Sequence, residues 1–124
     1  MKVLVVDDEK DIQMLFLQRF RKEIRSHEFD FFFAFSGEEA LQYMAANMHE
    51  AVLILSDINM PGMSGLELLR EIKTRYENPP PKVMMVTAYG DDDNYSQAMS
   101  LGADDFLTKP LDFNVLKEKL KNIL

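Results

Sequence analysis

Short apolar runs alternate with longer stretches in which apolar residues recur every three or four positions, and the alternation repeats five times along the chain. The short runs fit strands buried on both faces, and the longer stretches fit helices with one buried stripe. Strands are predicted over residues 3–6, 29–34, 52–55, 83–86 and 106–107, the last with the weakest pattern. The second run carries Phe29, Phe31, Phe32 and Phe33, with Phe35 just beyond. It is read as core packing rather than an aromatic cradle, because a doubly buried strand needs apolar residues on both faces.

The helical stretches carry their own start and stop signals. Ile12, Leu15, Phe16, Phe20 and Ile24 form one stripe of a first helix. Ser36 with Glu39, and Ser64 with Glu67, have capping-box spacing. The stripes behind them are Ala40, Leu41, Met44 and Ala45, then Leu66, Leu69, Ile72 and Tyr76. A fourth helix is expected from about 94 to 101, with Gly102 placed to end it in the left-handed conformation. Asp112 caps the last helix, whose stripe is Phe113, Leu116, Leu120 and Ile123.

Five repeated βα units imply a parallel sheet, and right-handed crossovers place helices on both of its faces. The expected fold is therefore α/β: a five-stranded, flavodoxin-like (βα)5 sheet of order 2-1-3-4-5. Pro79, Pro80 and Pro81 form a stiff connector too short to divide domains, so one domain spans residues 1–124.

Composition narrows the function. The balance of 47% hydrophobic and 28% charged residues is ordinary for a globular domain, but the net charge of -7 argues against direct nucleic-acid binding. With no cysteine, disulfides, thiolate metal sites and Cys nucleophiles are excluded. No run is long enough to span a membrane or serve as a secretory leader, which points to a soluble cytoplasmic protein. His27 and His49 stand alone in connectors and read as solvent-facing rather than as ligands.

In an open α/β sheet the ligand crevice lies at the carboxyl ends of the strands. There the sequence places Asp7 and Asp8 after the first run, Asp57 after the third, Thr87 after the fourth, and Lys109 with Pro110 after the fifth. Gathered carboxylates repel unless a cation offsets them, and oxygen-only donors favour a hard dication, Mg²⁺ or alternatively Mn²⁺. Asp57 is then suited to attack phosphorus and form an acyl phosphate. Lys109 would neutralise phosphoryl oxygens and the Thr87 hydroxyl would donate to them. Met60 and Met63 belong to the loop beside Asp57 and are explained by packing.

Residues 57–65, D-I-N-M-P-G-M-S-G, resemble the phosphoacceptor signature of the response-regulator receiver family. The likeness covers nearly the whole chain: the acidic pair Asp7 and Asp8, A-F-S-G-E-E-A-L, V-T-A at Thr87, and G-A-D-D-F-L-T-K-P ending at Pro110. The resemblance implies that Asp8, Asp57 and the backbone carbonyl of Asn59 ligate the metal directly, with Asp7 acting through water. Lys109 would contact the phosphoryl group, and Thr87 and Phe106 would form the switch pair. Phe106 stands where many relatives have Tyr and has no hydroxyl to bond outward. The Lys109–Pro110 bond is expected to be cis.

The implied partners are a histidine kinase or phosphotransfer protein upstream and an output domain or effector protein downstream. The chain would be a monomer or a phosphorylation-dependent dimer. It would act as a phosphoacceptor, limited to self-phosphotransfer from small donors and autodephosphorylation. On phosphorylation, the surface near Ala98, Leu101 and Phe106 would change shape. Three alternatives differ in their signatures. An aspartyl-phosphate phosphatase or mutase would carry its nucleophile at the first strand and a cap domain. An FMN carrier would have a Ser-, Thr- and Gly-rich first loop. A phosphate-independent binding module would not need all five of Asp7, Asp8, Asp57, Thr87 and Lys109.

Overall fold

Backbone pairing carries four of the five strands past their apolar runs in a computed structural model, which describes residues 1–47, 53–76, 80–88 and 91–123. The strands are β1 (Lys2–Val6), β2 (Asp30–Ala34), β3 (Leu53–Asp57), β4 (Lys82–Ala88) and β5 (Asp105–Lys109). Every pairing is parallel and the order is β2-β1-β3-β4-β5. The polar ends of β3, β4 and β5 stay in the ladder because main-chain hydrogen bonds hold polar residues as readily as apolar ones. The expected positions Val52, Pro79 and His49 lie outside the described residues.

Six helices occur among the described residues: α1 (Asp11–Arg19), α2 (Arg21–Arg25), α3 (Gly37–Ala46), α4 (Gly65–Arg75), α5 (Asp92–Ser100) and α6 (Phe113–Asn122). Strand alternation sends their partners to opposite faces. Val3, Val5, Leu53, Leu55, Met84 and Val86 pack under Phe16, Phe20, Leu116 and Leu120, on the face covered by α1, α2 and α6. Leu4, Val6, Ile54, Val83 and Met85 pack under Ala40, Met44, Leu68, Leu69, Ile72 and Ala98, on the face of α3, α4 and α5. The Phe run divides the same way, Phe31 and Phe33 to the first face and Phe32 to the second. Phe16 stacks on Phe20 at 5.6 Å between centroids and meets Phe31, Phe33 and Phe113 edge-on.

Three helix details correct the periodic pattern. The first helix is kinked at Phe20 (φ -106, ψ 23), which is fully buried there, so α1 and α2 replace one continuous helix. Leu15 leaves the buried stripe and is 40% exposed, whereas Leu68, outside the expected stripe of α4, is fully buried. Finally, α5 begins at Asp92 because Asp91 caps it, its carboxylate accepting the Asn94 N–H at 3.2 Å.

The other ends follow the signals. Ser36 accepts the Glu39 N–H at 3.0 Å and Ser64 accepts the Glu67 N–H at 3.2 Å. Gly102 closes α5 with φ 93. Asp112 accepts from both Asn114 N–H and Val115 N–H, at 2.9 and 3.3 Å. With those donors orphaned, Asp112→Ala should lower stability by about 1 kcal/mol, while Asp112→Asn should cost little. Thermal unfolding of the two variants checks this; equal midpoints would show that the cap contributes nothing.

Candidate functional site

The order β2-β1-β3-β4-β5 sets the carboxyl ends of β1, β3 and β4 side by side, with β5 next in line. Asp7 and Asp8 follow β1, Asp57 ends β3, Thr87 is one residue from the end of β4, and Lys109 ends β5. Carboxylate oxygens of Asp7, Asp8 and Asp57 all lie within 4.8 Å of one another. The Lys109 ammonium donates to Asp57 Oδ2 at 2.8 Å and stands 4.0 Å from Asp7 Oδ2. Residues from the ends of β1, β3 and β5 thus meet in one place.

Burial divides the three acids. Asp7 and Asp57 are 6% and 3% exposed, whereas Asp8 faces solvent. Asp7 is held by the Glu9 N–H, which donates to its Oδ1 at 2.9 Å. The Asn59 N–H faces Asp57 Oδ1 at 3.4 Å, so the Asn59 backbone stands beside the same carboxylate. Ser56 donates its hydroxyl to the Asp57 carbonyl at 3.0 Å. Gly65, the first residue of α4, presses against that peptide from below. A Cβ there would overlap the Asp57 carbonyl oxygen.

The charges do not balance. Burial pushes the Asp7 carboxyl above its ordinary pKa; the Asp57 charge adds to the rise, which the Glu9 N–H and Lys109 only partly oppose. Burial would draw the Lys109 pKa down, but the hydrogen bond and charge of Asp57, with Asp7 and Glu9, raise it. Lys109 therefore stays an ammonium, one cation facing three carboxylates. An all-oxygen donor set with this deficit, open on the Asp8 side, fits a hard divalent cation.

The deficit has a measurable consequence. A carboxyl whose pKa rises on folding favours the folded state while protonated, and that contribution is lost as the pH climbs through the raised value. Above that raised value, ionised Asp7 works against folding. Asp7→Asn keeps an oxygen for the Glu9 N–H and removes the charge. In EDTA it should raise stability by about 1 kcal/mol, or a few degrees in Tm. A lower Tm than wild type in EDTA would show that Asp7 is stabilising as it stands.

Thr87 is 3% exposed, and among the described residues its hydroxyl bonds the Ala88 carbonyl alone, at 3.5 Å. That bond is at the limit of useful length, which leaves the hydroxyl available to a better acceptor. Met85 pairs with Phe106 and Thr87 with Thr108, so Thr87 lies on the sheet face that carries Phe106. Phe106 is half-buried, its ring 4.5 Å from that of Tyr95 on α5. Ala98 is fully buried, which corrects its expected place on the surface; the exposed large hydrophobic residues of α5 are Tyr95 and Met99. The Lys109–Pro110 peptide is cis. His27 is remote from this chemistry, an exposed residue 3.6 Å from Asp30.

The sequence pattern does not single out the support beneath the acids. Gly65 and Glu38 stand there only as letters of two motifs, and Tyr95 only within the span of the expected fourth helix. Glu38 Oε1 accepts the Met63 N–H at 3.2 Å across 25 residues of chain. The helical pattern offered a signal for Tyr95 alone, as an aromatic residue one turn before Met99.

Residues 3–121 match the family model for the response regulator receiver domain. The chain is 39% identical to the response regulator protein PilR of Pseudomonas aeruginosa over 99% of its own length and 26% of that protein. It is 33% identical to the response regulator RppA of Synechocystis over 98% of its length and 49% of RppA. It therefore spans a quarter to a half of these curated relatives. Among solved structures, a response regulator receiver domain protein of Clostridium thermocellum superposes with a TM-score of 0.85 at 30% identity, covering 98% of this chain and 92% of that one. The chemotaxis protein CheY4 of Vibrio cholerae gives 0.83 at 25% identity over 99% and 98%.

Proposed function

Because the chain belongs to the response regulator receiver family of two-component signalling, we propose that it takes a phosphoryl group on Asp57 and relays its presence to a partner. The carrying observation is the Asp57 carboxylate itself. It is the one acid at the strand ends that is both buried and hydrogen-bonded to Lys109, at 2.8 Å. Among the described residues nothing comparable holds the exposed Asp8.

In this reading the donor is a phosphohistidine on a kinase or phosphotransfer protein. An Asp57 Oδ forms the new P–O bond, the P–N bond breaks with its electron pair going to the imidazole, and the ring takes up a proton. Lys109, already aimed at Asp57, moves its ammonium onto the phosphoryl oxygens. Asp7, Asp8, Asp57 and the Asn59 carbonyl would hold Mg²⁺, with Mn²⁺ as the alternative. The ion supplies positive charge against the phosphoryl oxygens when bound. The chain is a phosphoacceptor rather than an enzyme, self-phosphotransfer from small donors and autodephosphorylation aside.

The response follows from Thr87. Phosphoryl oxygens offer its hydroxyl a stronger acceptor than the Ala88 carbonyl. Movement of Thr87 vacates space on the face it shares with Phe106, which turns inward and alters the surface of α5, β5 and α6. Tyr95 must rearrange with it, since the two rings are in contact. That surface would engage an output domain, an effector protein or a second copy. No helix among the described residues is long and apolar enough to cross a membrane, in keeping with a receiver working in the cytoplasm.

Intact-mass spectrometry after incubation with acetyl phosphate and Mg²⁺ tests this. One labile, hydroxylamine-sensitive phosphoryl adduct is expected, and EDTA should prevent it. A chain that gains no adduct, or gains it equally in EDTA, would overturn the reading.

A further inference from the structure

The loop between β3 and α4 carries the proposed chemistry yet lies outside the sheet ladder. Its ends are fixed: the Ile58 N–H donates to the Val86 carbonyl at 3.0 Å and the Gly65 N–H donates to the Ile58 carbonyl at 2.8 Å. Between them, the tie from a distant element is the Glu38 carboxylate on the Met63 N–H, at 3.2 Å. We propose that Glu38 is a positioning residue for this loop, holding it from the N-terminus of α3 so that the Asn59 backbone stays beside Asp57. The proposal rests on the reading of Asp57 as phosphoacceptor and of Asn59 as a metal ligand.

Glu38 is itself well placed to act as a fixed point. It lies in the first turn of α3, between Ser36, which accepts the Glu39 N–H at 3.0 Å, and Glu39, which accepts the Phe35 N–H at 2.6 Å. That double cap pins the backbone on either side of it. The Met63 side chain lies directly over Gly37, where a Cβ would stand 2.8 Å from its sulfur. The loop is therefore gripped twice at Met63, once through its side chain and once through its backbone N–H. A hydrogen bond to an ionised acceptor is stronger than a neutral one, which suits a tie made at the surface.

The apolar contacts of α3 come from Ala40, Leu41, Tyr43 and Met44, while Glu38 is exposed. Removing its carboxylate therefore leaves the core intact and frees only the loop. The competing explanation is that Glu38 merely complements the partial positive charge at a helix N-terminus. The two differ in what glutamine does: it keeps an oxygen acceptor at the same reach and discards the charge.

The test compares wild type, Glu38→Leu and Glu38→Gln by Mg²⁺ titration followed by NMR, by hydrogen exchange at the Met63 amide and by Tm. Glu38→Leu should weaken Mg²⁺ binding by about tenfold, the scale of lost outer-shell support, and speed Met63 exchange while shifting Tm by only a few degrees. Glu38→Gln should bind within about twofold of wild type. Wild-type affinity in Glu38→Leu would overturn the proposal, as would equal losses in both variants or an unprotected Met63 amide in wild type. Absence of a phosphoryl adduct on wild type would instead refute the role of Asp57, while the exchange data would still decide whether Glu38 holds the loop.

Discussion

Asp57→Asn is expected to abolish the phosphoryl adduct and leave a folded protein. An amide has no ionised oxygen to attack phosphorus, so formation of the adduct should fall by a factor on the order of 10³ or more, as for the loss of other nucleophiles. The substitution nearly preserves volume, and the asparagine oxygen can still accept from Lys109 or from the Asn59 N–H. Lys109 also keeps Asp7, at 4.0 Å. Loss of one of three mutually repelling carboxylates offsets loss of the 2.8 Å ion pair, so Tm should change little. Intact mass reads the adduct and circular dichroism the fold. Asp8 is the informative competitor, being within 4.8 Å and open to solvent. A stoichiometric, hydroxylamine-sensitive adduct surviving in the variant would place the phosphoacceptor elsewhere.

The place of the chemistry was legible in the sequence because parallel strands share a direction. Noting which polar residue follows each apolar run locates Asp7, Asp8, Asp57, Thr87 and Lys109 at one edge without any distance being known. The two helix layers follow from the same regularity, whereas the sheet order matches the known order of flavodoxin-like folds. The residues missed are those whose role depends on contact between segments rather than on local pattern. Leu15 and Phe20 share an expected stripe, yet one is exposed and the other buried, because Leu15 stands about 100° around α1 from Phe16, which carries the buried face with Phe20. Strand β5 gives a weak signal because it is an edge strand with one buried residue, Leu107. Tyr95 meets Phe106, and Glu38 meets Met63, only once helices have packed on the sheet. Spacing offers Tyr95 as an aromatic residue of the helix but not its partner, and it carries no trace of the meeting of Glu38 with Met63.

Gly65→Ala is expected to have the largest effect of any single-methyl addition at this site. The added Cβ would overlap the Asp57 carbonyl oxygen and lie 2.7 Å from Ile58 Cα and 2.8 Å from the Asp57 carbonyl carbon. These are backbone atoms, so no rotamer change relieves the clash. Either the first turn of α4 must lift away, breaking the 2.8 Å bond from the Gly65 N–H to the Ile58 carbonyl, or the peptide carrying Asp57 must move. The upper range for overpacking applies, about 3 kcal/mol, which corresponds to a loss of roughly 10 °C in Tm. Moving the Asp57 peptide also shifts its carboxylate relative to Lys109 and to the other two acids. A displacement near 1 Å can cost about 10²-fold in rate, so adduct formation should slow by that order even at temperatures where the variant is folded. Ser64→Ala, one residue earlier, is the control. It removes only the 3.2 Å cap to the Glu67 N–H and should lower stability by about 1 kcal/mol with the phosphorylation rate preserved. If Gly65→Ala matched this control in both Tm and rate, the contact between α4 and the Asp57 peptide would not be what positions the carboxylate.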